Sequence, residues 1–220
     1  MIRGLVFDMD GLIFDSEKVV QRTWYDVGKQ IGIPDMGDYI LHTLGFNKVK
    51  EKAYFREILG EEFPYELFAE RTKERFYEIV DQEGMSVKPG ARELIRYGKE
   101  HGLKLAVATS SREGYAVKLF QDAGIYDYFD GFVFGNMVTH SKPDPEIYQK
   151  ACAAINLPAE ACMAFEDAPA GVRSASAAGL TVVMVPDLVQ PEEDVRNLAF
   201  QVCSSLTEAI PLVEQLRQGK

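Results

Sequence analysis

Leu5-Val6-Phe7-Asp8-Met9-Asp10-Gly11-Leu12-Ile13-Phe14-Asp15-Ser16 is the stretch on which the fold turns. Three apolar residues without polar alternation read as a short strand buried on both faces. The run then breaks into two carboxylates and a glycine, which permits a tight turn. Two aspartates this close at a strand end repel. At ~4 Å the pair costs roughly 1 kcal/mol in water and ~4 kcal/mol at an effective dielectric of 20. A cation relieves that repulsion, and oxygen donors favour magnesium. The alternative is an ordinary Asp-x-Asp-Gly turn, and this segment alone leaves both open.

Four further apolar runs, 103–108, 132–134, 161–165 and 181–185, repeat the pattern of the first. Helical patterns lie between them. Leu94, Ile95 and Gly98 share a face after Pro89 and before Gly102, and so do Ile147, Tyr148, Ala151, Ala154 and Ile155. A small-residue helix is expected over 168–178, and Leu206, Ile210, Val213 and Leu216 mark the last helix. Alternation of strand and helix predicts a doubly wound, parallel, Rossmann-like α/β sheet of five strands.

From Ser16 to Gln82 the alternation stops. Val20, Trp24, Val27 and Ile31 fall at helical spacing, as do Phe68, Thr72, Phe76 and Val80. The stretch is too long for a βα connection. It reads as an all-helical cap inserted over 16–83, with a core made of 1–15 and 84–220. Asp15-Ser16 and Glu83-Gly84-Met85-Ser86 are the expected hinges.

The chain has 220 residues, 46% of them hydrophobic and 26% charged, which is ordinary for a globular protein. Its net charge of -10 repels polyphosphate backbones, so nucleic acid is not an expected partner. A phosphate ester would need local positive charge at its site, from a metal or a lysine. The three cysteines lack zinc-type spacing and read as buried thiols in a reducing compartment. There is no secretory pattern and no apolar stretch near the ~20 residues a membrane span needs. The expectation is a cytoplasmic protein with no membrane partner, monomeric by default.

Ligands of open parallel sheets bind at the carboxyl ends of the strands. The second strand leads into Thr109-Ser110-Ser111-Arg112-Glu113, where hydroxyls and backbone N–H groups at a helix start suit an anion. Ser110-x-x-Glu113 also fits a capping box that needs no ligand. After the third strand comes His140-Ser141-Lys142-Pro143-Asp144-Pro145. Pro143 suits the first turn of the next helix and biases Lys142 to extended backbone. The fourth strand leads into Glu166-Asp167-Ala168-Pro169-Ala170-Gly171. These carboxylates read as metal ligands, or Asp167 as a helix N-cap. Asp8, Asp10 and Asp167 converge only if the first and fourth strands are neighbours. His42, His101 and His140 share no spacing and read as structural. No Gly-x-Ser-x-Gly elbow is present to support serine catalysis.

Taken together, these four segments resemble the haloacid dehalogenase-like superfamily, and within it the helical-cap phosphatases, including beta-phosphoglucomutase-like and sugar-phosphate or pseudouridine-phosphate phosphatases. The resemblance runs through almost the whole chain. It implies that Asp8 attacks phosphorus to form an aspartyl-phosphate and that Asp10 protonates the leaving alcohol and then activates water. It implies that Thr109 and Lys142 hold the transferring phosphoryl group, with Gly11, Ser110, Ser111, Arg112 and Lys48 as further phosphate or substrate contacts. It implies a Mg2+ site made by Asp8, Asp10 with its backbone carbonyl, Asp167 and Glu166. The substrate class it implies is a small phosphate ester, a sugar phosphate or nucleoside monophosphate.

Three other readings compete. Dehalogenases of the superfamily lack the second aspartate of the first motif, and Asp10 is present here. Beta-phosphoglucomutase-like chains carry a histidine in the first cap helix, where Val20 stands, and an arginine in the cap, for which Lys48 in the Gly45-Phe46-Asn47-Lys48 turn is the nearest candidate. A non-catalytic interaction module would have no need of Asp8, Asp10, Thr109, Lys142 and Asp167 together. Trp24, Tyr25, His42, Lys48 and Lys50 are the cap residues considered for substrate reading. Trp24 shares a face with Val20 and Val27 and reads first as core. Lys48, Lys50 and Lys52 read first as a solvated helix face.

Overall fold

The structure, a computed structural model, describes residues 1–43, 46, 48–188 and 190–219. Six strands, β1 Gly4–Phe7, β2 Lys104–Ala108, β3 Gly131–Val133, β4 Cys162–Glu166, β5 Thr181–Met184 and β6 Gln201–Val202, form one parallel sheet in the order β3-β2-β1-β4-β5-β6. The sequence predicted five. The sixth is a two-residue edge strand, too short to show periodicity, and it runs beside Val183 and Met184 of β5.

The helices in chain order are α1 Ser16–Gln30, α2 Ile40–Thr43, α3 Lys48–Leu59, α4 Tyr65–Glu83, α5 Ala91–Glu100, α6 Glu113–Asp122, α7 Glu146–Ala154, α8 Pro169–Ala177, α9 Glu193–Arg196 and α10 Leu206–Arg217. The chain divides into two compact units, Met1–Asp15 with Ser86–Lys220, and Ser16–Met85. Among the described residues no helix is long and apolar enough to cross a membrane.

Both faces of the sheet are covered, which is why its strands lack alternation. Val6, Ala106, Ala108, Ala164 and Val182 share one buried cluster with Ile147, Tyr148 and Ala151 of α7 and Val172 and Ala175 of α8. The alternate residues point the other way. There Phe7 stacks on Phe165 at 5.0 Å and meets Phe129 edge-on at 5.9 Å, and α5 lies against Leu5 and Leu105 at Gly98. Phe7, Leu5 and Val6 are fully buried. Each such side chain contributes about 1.5–3 kcal/mol, so β1 is anchored from both sides. Cys152, Cys162 and Cys203 are free, buried thiols.

Among its described residues the Ser16–Met85 unit is all helix apart from a 3-10 turn and loops. Its core is aromatic. Phe55, fully buried, lies 5.5 Å from Trp24, 5.3 Å from Phe63 and 5.8 Å from Phe68, centroid to centroid. Arg75 of α4 pairs with Asp26 of α1 at 2.9 Å. Where the chain leaves the core and returns to it, the two segments pair. Asp15 N donates to Ser86 O at 2.9 Å, Lys88 N donates to Ile13 O at 2.8 Å, and Phe14 bridges antiparallel to Val87.

Candidate active site

In a parallel sheet the residues that follow each strand gather at one edge. Phe7 is level with Val107 of β2 and with Phe165 of β4, so Asp8 emerges between Ala108 and Glu166. Asp8 N donates to Phe165 O at 3.0 Å, and Thr109 N donates to Val133 O at 3.0 Å. Adjacency of β1 and β4 is the condition under which the aspartates of both strands converge. Asp8, Glu166 and Asp167 each present a carboxylate oxygen, all within 4.8 Å of one another.

Lys142 reaches this cluster from the loop after β3. Its ammonium donates to Asp8 Oδ1 at 2.5 Å, to Glu166 Oε1 at 2.6 Å and to Ala108 O at 3.0 Å. An ammonium has three protons, so every donor is engaged. The expected helix start at Pro143 is not observed. The loop turns through Asp144 N to Ser141 O, Asp144 Oδ1 accepts Glu146 N at 3.0 Å, and α7 begins only at Glu146 with Pro145 as its N-cap.

Glu166 is 1% exposed. Its Oε1 also accepts the Tyr148 hydroxyl at 2.6 Å, and its Oε2 faces the amides of Asp167 at 3.2 Å and Ala168 at 3.5 Å. Both oxygens are thus engaged inside the protein. Asp167 is not the N-cap of α8. That position belongs to Ala168, with Pro169 opening the helix. Gly11 sits at φ 78°, and a Cβ there would lie 2.2 Å from Asp167 Oδ2, so the glycine makes room for this carboxylate.

Asp10 accepts a hydrogen bond from the Ser111 hydroxyl at 2.6 Å. Thr109 is buried, and its Oγ1 accepts Ser111 N at 3.0 Å. The capping box expected from Ser110 and Glu113 does not form. α6 is capped by Arg112 with extended backbone and no side-chain cap bond, and Glu113 N donates to Asn136 Oδ1 at 3.3 Å instead. α6 starts three residues after Ser110, and a Cβ at Gly135 would lie 2.1 Å from Ser110 O, so loop backbone packs on loop backbone there. The side chains of Ser110 and Arg112 are exposed.

Electrostatically the pocket is overloaded with negative charge. Lys142 pairs with Asp8 and Glu166, while Asp167 lies within the same carboxylate cluster and Asp10 adds its charge to that of Asp8. Burial pushes the Asp8 carboxyl up to about 8; Lys142 works against this, while Glu166 and Asp10 add to it. Burial alone would discharge Lys142, but Asp8 and Glu166 outweigh it and hold the ammonium above its ordinary range. Burial, then Glu166, keeps the Tyr148 hydroxyl protonated. An all-oxygen, anionic donor set of this kind fits a hard divalent cation.

The remaining predicted residues belong to the other unit and are described within it. Lys48, Trp24, Tyr25, His42 and Lys50 belong to the helical unit. Trp24 is core, the Tyr25 hydroxyl bonds Asp38, and Lys50 lies 3.9 Å from the Phe46 ring centroid. Lys48 is exposed beside a groove of about 750 Å³ between α3 and α4 that also holds Lys52, Arg56 and Lys73. Gly45 and Asn47 of the expected turn lie outside the described residues. A second group, His140, Asp144 and Glu146, serves the loop: Glu146 accepts the amides of Thr139 and His140 and pairs with Lys150. Sequence reading placed Tyr148 on an apolar helix face without a function. The signal was there, since a hydroxyl on a buried face requires an acceptor.

Comparison with known proteins follows this geometry. Residues 2–179 match the family model for haloacid dehalogenase-like hydrolases. The chain is 31% identical over 226 residues to protein CbbY of Rhodobacter capsulatus, covering 96% of this chain and 98% of that one. It is 31% identical over 179 residues to a phosphorylated carbohydrates phosphatase of Thermotoga maritima, covering 81% and 82%. A crystal structure of CbbY from Rhodobacter sphaeroides in complex with phosphate superposes with a TM-score of 0.74 at 27% identity, covering 95% of this chain and 96% of that one.

Proposed function

The chain belongs to the haloacid dehalogenase-like hydrolase family, and from that premise we propose that it is a Mg2+-dependent phosphatase of small phosphate monoesters, sugar phosphates first and nucleoside monophosphates second. The observation that carries the reading is the buried Asp8 carboxylate held 2.5 Å from the Lys142 ammonium at a strand tip. Asp10, two residues further on and hydrogen-bonded by Ser111, is assigned the proton transfers. The relative named as a phosphatase of phosphorylated carbohydrates supports the order of substrates.

An oxygen of Asp8 attacks phosphorus while Asp10 gives its proton to the departing alcohol oxygen. This leaves a phosphoryl group on Asp8, and a hard hydrolysis is split into two easier steps. Asp10 then takes a proton from water, the water oxygen attacks phosphorus, and Asp8 is regenerated with release of inorganic phosphate. Thr109 and Lys142 are assigned to the equatorial oxygens, where charge builds up in the transition state; Lys142 exchanges one of its present acceptors for a phosphoryl oxygen when substrate binds. Asp8, Asp167 and the Asp10 carbonyl are assigned to Mg2+, with Glu166 beside them; when bound, the ion neutralises phosphoryl charge. Recognition of the leaving group is assigned to the helical unit as a cap, with Lys48 its foremost cation.

Hydrolysis is preferred to phosphomutase chemistry because Val20 stands where mutase-like chains carry a histidine. Dehalogenation is disfavoured by Asp10. The test is phosphate release from a panel of phosphorylated sugars and nucleotides, with and without Mg2+, by wild type and Asp8→Asn. Mg2+-dependent release lost in the variant is expected. Full activity in a verified Asp8→Asn protein would sink the mechanism. Stoichiometric glucose 6-phosphate from beta-glucose 1-phosphate without phosphate release would sink hydrolysis.

A further inference from the structure

We infer that Ser111 is a positioning residue for Asp10: its hydroxyl fixes which carboxylate oxygen faces the leaving group, rather than gripping phosphate as its place in the sequence suggests. The inference rests on the proposed function, in which Asp10 is the proton donor to the departing alcohol.

The bond that motivates it joins residues far apart in the chain, Ser111 Oγ donating to Asp10 Oδ2 at 2.6 Å. A serine hydroxyl has one proton, and here it is given to Asp10. The loop that carries Ser111 is held at three points. Thr109 N is tied to Val133 O at 3.0 Å, Ser111 N to Thr109 Oγ1 at 3.0 Å, and Gly135 N to Ser111 O at 2.9 Å. The close approach at Gly135, where a Cβ would sit 2.1 Å from Ser110 O, shows how tightly the backbone is seated. Ser111 therefore holds Asp10 from a fixed platform on the neighbouring strand's loop.

A carboxylic acid delivers its proton from one oxygen. With Oδ2 occupied as the acceptor from Ser111, the proton to be transferred resides on Oδ1. As the bond from phosphorus to the leaving oxygen breaks, its electron pair goes to that oxygen, which takes the proton from Oδ1. A positioned acid contributes about 10²–10⁴-fold, and the contribution depends on orientation. Loss of the Ser111 bond removes one of the contacts that orient the carboxyl, and the acid is misdirected part of the time.

Leaving-group dependence separates this role from a grip on phosphate. An alkoxide needs the proton as it departs; p-nitrophenolate does not. The measurement is kcat/KM, which covers steps through leaving-group departure, for an alkyl phosphate such as a hexose 6-phosphate and for p-nitrophenyl phosphate. Wild type, Ser111→Ala, Ser111→Thr and Asp10→Asn are compared. The alkyl-to-aryl ratio on one preparation cancels any loss of folded protein. Ser111→Ala is expected to lower that ratio about tenfold, Ser111→Thr to restore most of it, and Asp10→Asn to lower it further. An unchanged ratio in Ser111→Ala, whether both substrates fall together or neither falls, overturns the inference while the Asp10→Asn result stands. An unchanged ratio in Asp10→Asn overturns the proposed role of Asp10 itself, and the inference with it.

Discussion

Asp8→Asn, introduced above as a test of catalysis, also makes a prediction about stability. Its carboxyl is raised from an ordinary 3.8 to about 8, chiefly by burial. Below pH ~4 the folded and unfolded chains both hold this proton, and Asp8 adds no pH dependence. As pH rises through 3.8 the unfolded chain releases the proton while the folded chain keeps it until about 8. The unfolded state therefore binds fewer protons over that window, and stability falls as pH rises. The span is 8 minus 3.8, about 4 pH units, and at ~1.4 kcal/mol per unit the ceiling is roughly 6 kcal/mol. Relaxation and water penetration reduce such figures, and about 2–3 kcal/mol is the working value. Asparagine keeps the shape and an acceptor for Lys142 but carries no charge, so it escapes the penalty. In a chain of this size 1 kcal/mol moves Tm by about 2–4 °C, so with chelator at pH 8 the variant should melt roughly 4–12 °C above wild type. The gap should shrink toward pH 4, and Mg2+ at pH 8 should close it by raising the wild type. The assay is thermal unfolding of both proteins from pH 4.5 to 8, with chelator and with Mg2+. A gap that stays flat with pH, or wild type the more stable at pH 8, would refute the electrostatic reading of the pocket.

Gly11→Ala places a methyl 2.2 Å from Asp167 Oδ2 in left-handed backbone, and should weaken Mg2+ binding at least tenfold with about 1–2 kcal/mol lost in stability. Titration calorimetry against Mg2+ and denaturant unfolding check the two effects. Tyr148→Phe removes one of the two strong donors to Glu166 Oε1 and should cost about 1–2 kcal/mol in urea unfolding; a loss below a few tenths would mean the bond contributes nothing. Glu146 is held down to about 2 by Lys150 and the amides of His140 and Thr139. Its support of that loop is therefore full above its ordinary 4.5 and lost as pH falls toward 2. Hydrogen-exchange protection of the Thr139 and His140 amides, measured against the intrinsic rate at each pH, should fall over that window in wild type and be low throughout in Glu146→Gln.

The sheet was legible because each central strand is a brief apolar run that ends abruptly in polar residues, and burial on both faces erases alternation. β6 was not, since Gln201 and Val202 make too short a run to carry a pattern. The helical insertion was legible from length and period, although its aromatic core around Phe55 shows only in three dimensions. At the sheet edge, strand ends told where Asp8, Thr109 and Asp167 emerge. They did not tell what those residues touch. Glu166 was read as a metal ligand beside Asp167, and its engagement with Lys142 and Tyr148 depends on the packing of α7 against the sheet. Ser110 and Asp167 each satisfied a local capping rule that the structure does not use: α6 starts at Glu113 with Arg112 as its N-cap, and α8 starts at Pro169 with Ala168 as its N-cap. Local rules describe an isolated segment, and tertiary contacts overrule them where loops from different strands meet.

The pairing of Asp15 with Ser86 and of Phe14 with Val87 has a bearing on how such a chain is put together. Everything from Ser16 to Met85 departs and returns through one short two-stranded neck. For the sheet, closing that neck resembles closing a hairpin, whatever lies beyond it, and loop-closure entropy grows only slowly with length. The aromatic cluster around Phe55 stays within the excursion. The segment is thus a module with a standard fitting: another folded piece with the same end-to-end spacing can be spliced at Asp15 and Ser86, and the register of the six strands need not change to receive it.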